Sequence, residues 1–260
     1  MSEIIKSISV LIGSTIVVHL SYIGFVRPQA DLIMAQAKLA GQSAPRDILV
    51  ILKDYEQEIC IILMLWAGFL ILSKCMAILK DRYLFSVDLL AETADGNGDL
   101  ANVLSNLEKL PPETGETPLV VALMASLRRY LITNDVQNTS DAVESSIEAL
   151  AIRQEAENSM IRYLIWAIPS IGFIGTVRGI GEALSMADQA LAGDIAGMTN
   201  SLGVAFNSTF VALLISILLM LLLHQLQRLQ DGLVVDTQAY CEKFLLKRIS
   251  GKYTETPSQT

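Results

Sequence analysis

Apolar residues in this chain are gathered into four long blocks, with no strand-like alternation between them. The blocks occupy residues 1–26, 59–79, 162–184 and 201–224, and Leu, Ile, Val and Met dominate them. A bilayer span needs about 20 mostly apolar residues, and in lipid a single segment satisfies its backbone polar groups only as a helix. The pattern therefore predicts an all-α integral membrane protein with four transmembrane helices. Between the blocks lie an outer connector (27–58), a helical cytoplasmic domain (80–161), an outer turn (185–200) and a cytoplasmic helical extension (225–250). Residues 251–260, "GKYTETPSQT", read as a disordered tail. The first block is expected to be retained as a span. Glu3 offsets Lys6, the apolar core is too long for a leader, and no small-x-small site precedes Arg27.

Local signals refine this plan. "ADGNGDLANVL" is a turn feeding a helix and "LPPETGETP" is a breaker. Thr117 and Pro118 have the form of an N-cap and first helical position. Asp141 with Glu144 has capping-box spacing, opening a helix expected to run from Ala142 into the third span. The fourth span meets no breaker from Phe206 until Gly232, so it should continue well past the bilayer as a long helix.

Charge adds orientation. Segment 185–200 has no Lys or Arg, whereas 80–161 starts with Lys80 and Arg82 and 225–250 carries Arg228, Lys243, Lys247 and Arg248. The positive-inside bias places both basic segments and both termini in the cytoplasm, although Arg27, Lys38, Arg46 and Lys53 dilute it on the outer connector. The chain is 52% hydrophobic and 18% charged, with a net charge of −8, which speaks against nucleic acid as a partner. No metal and no cofactor is expected, because two histidines with no cysteine cluster cannot make ordinary zinc spacing. Cys60, Cys75 and Cys241 frame no disulfide scaffold. "GFIGTVRGIG" follows no strand and lacks the Gly-Lys-Ser/Thr ending of a phosphate loop. With no Ser–His–Asp set either, the chain does not read as an enzyme. His19 and His224 read as bonded packing residues or interface anchors.

Candidate chemistry sits on spans three and four. Gly172, Gly175, Thr176 and Gly179 share one helix face, and such small residues let membrane helices approach closely. Ser201, Ala205, Ser208, Thr209, Ala212 and Ser216 form a matching stripe on the fourth span. At 1.5 Å per residue, Thr176 lies ~21 Å from Arg162 and Thr209 lies ~14 Å below the outer end, which puts both hydroxyls at near-central depth. Together with Ser208 and Asn207 they suggest a polar ion pathway. Arg178 and Glu182, four residues apart, are placed to pair near the outer end. The spans hold no Asp or Glu well inside. A chain of this kind that moves protons must therefore borrow its titrating carboxylate from a partner.

"PSIGFIGTVRGI" (169–180) resembles the Pro-x-x-Gly-x-x-Gly-Thr-Val-x-Gly-Ile signature of the MotA/TolQ/ExbB proton-channel family, and "GVAFNSTFVALLISI" (203–217) is similar to its last-span motif. The overlap runs from about residue 150 to 225. Residue on residue, Thr176 and Thr209 fall on the family's two pore threonines and Pro169 on its signature proline. Arg178 stands where TolQ and ExbB carry Trp, and Ala205-Phe206 replaces their Ala-Leu. The resemblance implies a homo-oligomer, typically a pentamer, around two copies of an ExbD/TolR/MotB-like single-span subunit that brings the membrane aspartate. It also implies residence in a bacterial inner membrane, among lipids, and a motor driven by the proton-motive force. Pro169, Gly172, Gly175, Gly179, Ala205 and Ala212 would then serve helix packing and the partner interface. A non-conducting membrane scaffold that docks a cytoplasmic effector is the alternative.

Overall fold

A computed structural model of the chain describes residues 2–40, 47–91 and 100–254. Among these residues there are helices and no strands. In chain order they are α1 (Ser2–Ser21), α2 (Arg27–Leu39), α3 (Ile48–Leu52), α4 (Tyr55–Asp81), α5 (Leu100–Glu108), α6 (Pro112–Gly115), α7 (Pro118–Thr133), α8 (Val136–Glu157), α9 (Ser159–Ser185), α10 (Ala187–Leu191), α11 (Ala196–Tyr240) and α12 (Lys247–Thr254). Four helical stretches are long and apolar enough to cross a membrane: Ile5–Ala37, Tyr55–Ser86, Val136–Ser185 and Ala196–Ser250. The chain is a multi-pass membrane protein. It divides into two compact units, Met1–Ser73 with Ser159–His224, and Lys74–Asn158 with Gln225–Thr260.

In the first unit the helical path begun by α1 does not stop at residue 26. A π turn over Tyr22–Val26 carries it into α2, with the Arg27 N–H bonded to the Tyr22 carbonyl. The wide turn falls beside Pro28, which has no N–H to continue an α ladder. Residues 27–39, expected as connector, are therefore helical, as are 48–52. Asp47 caps α3, accepting from the Leu49 N–H at 2.8 Å. α4 likewise begins at Tyr55, before the apolar run, and takes Glu56 and Glu58 into its first turn. Large apolar side chains on α1, α9 and α11, such as Ile12, Phe173 and Ile217, remain exposed, as lipid-facing surfaces must. Gly193, with φ +102°, makes the turn before α11.

In the second unit α7 and α8 form a hairpin. Asn134 adopts the left-handed conformation (φ 52°) and Asp135 caps α8 through the Gln137 N–H. α8 thus starts ahead of the Asp141–Glu144 pair, and Asp141 lies inside the helix, accepting from Gln137 Nε2 at 3.1 Å. Thr117 does occupy the N-cap of α7, with Pro118 at the first turn, though its hydroxyl turns back to the Thr114 carbonyl at 2.7 Å. Leu119, Leu123 and Leu127 of α7 pack with Val103, Leu107, Leu245 and Ile249 in the core. Tyr240 ties the chain ends of this unit: its hydroxyl accepts from the Leu89 N–H and donates to the Val87 carbonyl, both at 2.8 Å.

The helix expected from Ala142 into the third span is interrupted. α8 ends at Glu157, Asn158 forms the junction, and α9 starts at Ser159. Asn158 is buried with Gln230, and the two amides bond reciprocally at 2.7 and 3.5 Å. α11 passes Gly232 and ends at Tyr240, a π turn spans Cys241–Leu246, and α12 continues to Thr254. Residues 251–254 are accordingly helical, not a disordered start to the tail. The rest of that tail, and the turn around 94–99, lie outside the described residues.

Candidate functional site

The site is built where α9 lies against α11. An added Cβ at Gly172 would come 2.5 Å from the Ala212 Cβ, at Gly175 2.5 Å from the Ser208 Cβ, and at Gly179 2.7 Å from the Ala205 nitrogen. These distances are below any real Cβ contact, so only glycine admits this approach. The facing stripe is buried: Ser201, Ala205, Ser208, Ala212 and Ser216 are all at most 6% exposed. The small-residue face read from the sequence is thus filled by a helix of the same chain.

Close approach brings the two threonines together. The Thr176 and Thr209 hydroxyls hydrogen-bond each other. With one of the two hydroxyl hydrogens used in that bond, the other is shared among nearby carbonyls: Thr176 Oγ1 lies 3.0 Å from the Ala205 oxygen, and Thr209 Oγ1 lies 3.2 Å from the Gly172 oxygen. Each hydroxyl reaches the backbone of the opposite helix, and Thr176 also lies 3.4 Å from its own i−4 carbonyl at Gly172, the usual partner of a helical threonine. Both side chains are half-buried, so one side of the pair remains reachable from outside the chain. Ser208 is fully buried and donates back to the Val204 carbonyl at 2.9 Å. Asn207 is half-buried and stands about 200° round the helix from Thr209, two residues away. The structure joins the threonines and leaves Asn207 apart from them.

Pro169 lies inside α9. Its missing N–H deprives the Ile165 carbonyl of an axial donor. Ser216 of α11 supplies the donor laterally, its hydroxyl 3.4 Å from the Ile165 oxygen. Hydroxyl side chains commonly satisfy backbone groups freed by proline in membrane helices.

At the outer end Arg178 pairs with Glu182 at 3.0 Å, as the spacing suggested. Its main partner is one the sequence reading missed. Arg178 Nε and Nη2 donate to the two oxygens of Glu56 at 2.8 and 2.9 Å. This two-pronged geometry is the strong form of a guanidinium–carboxylate contact. Glu56 also borders the glycine stripe, since a Cβ at Gly175 would meet its Cγ at 3.1 Å. Beside it, Glu58 receives the Arg27 guanidinium and bonds His19 Nδ1 at 2.6 Å. Glu56 and Glu58 are 8% and 5% exposed, and a carboxylate so buried is tolerable only when paired. Asp54 lies 4.0 Å from Arg178. Burial pushes its carboxyl above the usual range, while Lys53 and Arg178 pull the other way. Its Oδ2 is buried without a hydrogen-bond partner. The signal for this belt was "DYEQEI" (54–59), acids at i, i+2 and i+4 just ahead of an apolar run. The pairing also explains Arg27 and the dilution of the positive-inside bias: its charge is neutralised on the spot.

Among the described residues no group of three or more His, Cys, Asp or Glu could hold a metal ion. Residues 115–239 match the model of the MotA/TolQ/ExbB proton channel family. No curated protein and no solved structure matches the chain.

Proposed function

We propose, from the match of residues 115–239 to the MotA/TolQ/ExbB proton channel family, that this chain is the ion-conducting ring subunit of a motor in a bacterial inner membrane. Five copies would surround two single-span partner helices, each bringing one membrane aspartate. The observation that supports this reading is the Thr176–Thr209 hydroxyl pair, held between α9 and α11 with one side open.

The physics is direct. An unpaired carboxylate in a low-dielectric setting is costly, and protonation removes the cost. A partner aspartate that alternates between the two forms prefers hydroxyls when charged and apolar surface when neutral. Each charge crossing ~100 mV releases ~2.3 kcal/mol, enough to bias such steps in one direction. The threonine pair offers the polar station, and the exposed Phe173 and Ile174 of α9 the apolar one.

The test is proton uptake in cells co-expressing this chain with its single-span partner. Thr176→Val and Thr209→Val keep shape and remove the hydroxyl. Each is expected to lower flux about tenfold, equivalent to ~1.4 kcal/mol on the barrier. Full flux in both variants would overturn the pore assignment.

A further inference from the structure

The second unit contains a groove of about 420 Å³ between the end of α4 and α11. Ile78 and Leu79 form one wall, Leu229 and Leu233 the other. Arg82 and Arg228 both line it, and both are exposed. Among the described residues neither guanidinium has a carboxylate partner. This contrasts with Arg178, Arg27 and Arg248, each of which is paired.

Depth identifies what such a groove meets. Leu79 and His224 end the second and fourth apolar runs. Arg82 is three residues and Arg228 four residues beyond those ends, or ~4.5 and ~6 Å at helical rise. The headgroup layer outside the hydrocarbon core is roughly 5–8 Å thick on each side. Both guanidiniums therefore stand at the level of lipid phosphates, with Ile78 and Leu79 on the core side of them and Leu229 and Leu233 beyond Arg228 on the water side. Asp236, which also lines the groove, is eight residues past Arg228 and ~12 Å farther along the helix. It sits beyond the phosphate level and bounds the groove on the water side.

We propose that this groove binds the headgroup of an anionic phospholipid, with Arg82 and Arg228 clasping the phosphate and Ile78 and Leu79 taking the first carbons of an acyl chain. Arginine forks match phosphate oxygens two at a time and are less strongly hydrated than ammonium groups. The volume suits a headgroup, being near the lower end for small-molecule pockets, and is too small for a docking helix. The site depends on membrane residence alone and stands whether or not the threonine pair conducts ions.

The experiment uses the full chain in its native assembly, purified in mild detergent and titrated with phosphatidylglycerol, phosphatidylcholine or soluble glycerol phosphate. Native mass spectrometry reads retained lipid. Wild-type protein is expected to retain phosphatidylglycerol in preference to phosphatidylcholine. Arg82→Gln/Arg228→Gln is expected to weaken that retention roughly 30-fold, about fivefold per surface cation, while Arg129→Gln leaves it unchanged. If the double variant does not assemble, each single Arg→Gln change must still lose about fivefold. Equal retention of phosphatidylcholine, glycerol phosphate binding as tightly as the lipid, or the same loss in Arg129→Gln would each overturn the proposal.

Discussion

At Gly179 an added Cβ would lie 2.7 Å from both the Ala205 nitrogen and the Ser201 carbonyl oxygen. These are backbone atoms and cannot swing aside. Gly179→Ala should therefore force α9 from α11 and lower stability by about 1–3 kcal/mol, the usual range for overpacking. Gly181, on the same helix, has nothing within 4 Å of an added Cβ. Gly181→Ala should be neutral or stabilising by up to ~1 kcal/mol, because alanine is the better helix former. Thermal melting of the solubilised assembly separates the two. Asp54 gives a pH-dependent case. Its carboxyl is raised by burial, so the folded chain binds that proton more tightly than the unfolded chain. Its charged form thus costs stability above the ordinary carboxylate range. Asp54→Asn should melt higher than wild type at pH 7, with the gap closing as pH falls toward that range. The glycines were legible in the sequence because spacing alone puts them on one face. Asp54, Glu56 and Glu58 were not. Their partners Arg178, Arg27 and His19 are 31 to 124 residues away, and no local pattern encodes that pairing.

At the scale of elements, Pro169 and Ser216 form a testable couple. In the wild-type chain Ser216→Ala strands the Ile165 carbonyl, at an expected cost of about 1–3 kcal/mol. In a Pro169→Ala background residue 169 regains its N–H, the carbonyl recovers its axial bond, and the same change should cost almost nothing. A double-mutant cycle measures this directly, and additive effects would show that the serine hydroxyl does not serve that carbonyl. Tyr240→Phe removes two hydrogen bonds in the second unit and should cost about 1–3 kcal/mol in melting experiments, at ~0.5–1.5 kcal/mol per bond. Helix existence was readable from apolar run length; helix ends were less so. α1 outlasts its apolar block because a π turn absorbs Pro28, and α8 begins early because Asp135 outcompetes the Asp141–Glu144 spacing as a cap. Both outcomes were decided by backbone geometry, which hydropathy does not record.

For the whole molecule, each of the two units holds features that the sequence made plain and features that it did not. The first unit holds the glycine stripe and the threonine pair, and its motif residues were visible in order along the chain. The second unit is a helical core of ordinary apolar contacts, and its arginine-lined groove has no motif. The groove exists because α4 and α11 overrun their apolar blocks side by side. The family match covers 115–239, so the Arg27–Glu58 and His19–Glu58 contacts lie wholly outside it, while Arg178–Glu56 joins a residue within it to one beyond.

The Asn158–Gln230 bridge has a consequence of its own. Both groups are neutral amides at every pH a cell can reach, and neither carries net charge for a voltage to pull on. An energised and a discharged membrane would leave that bridge equally strong. The Arg178–Glu56 and Arg27–Glu58 pairs of the first unit carry full charges and have no such indifference.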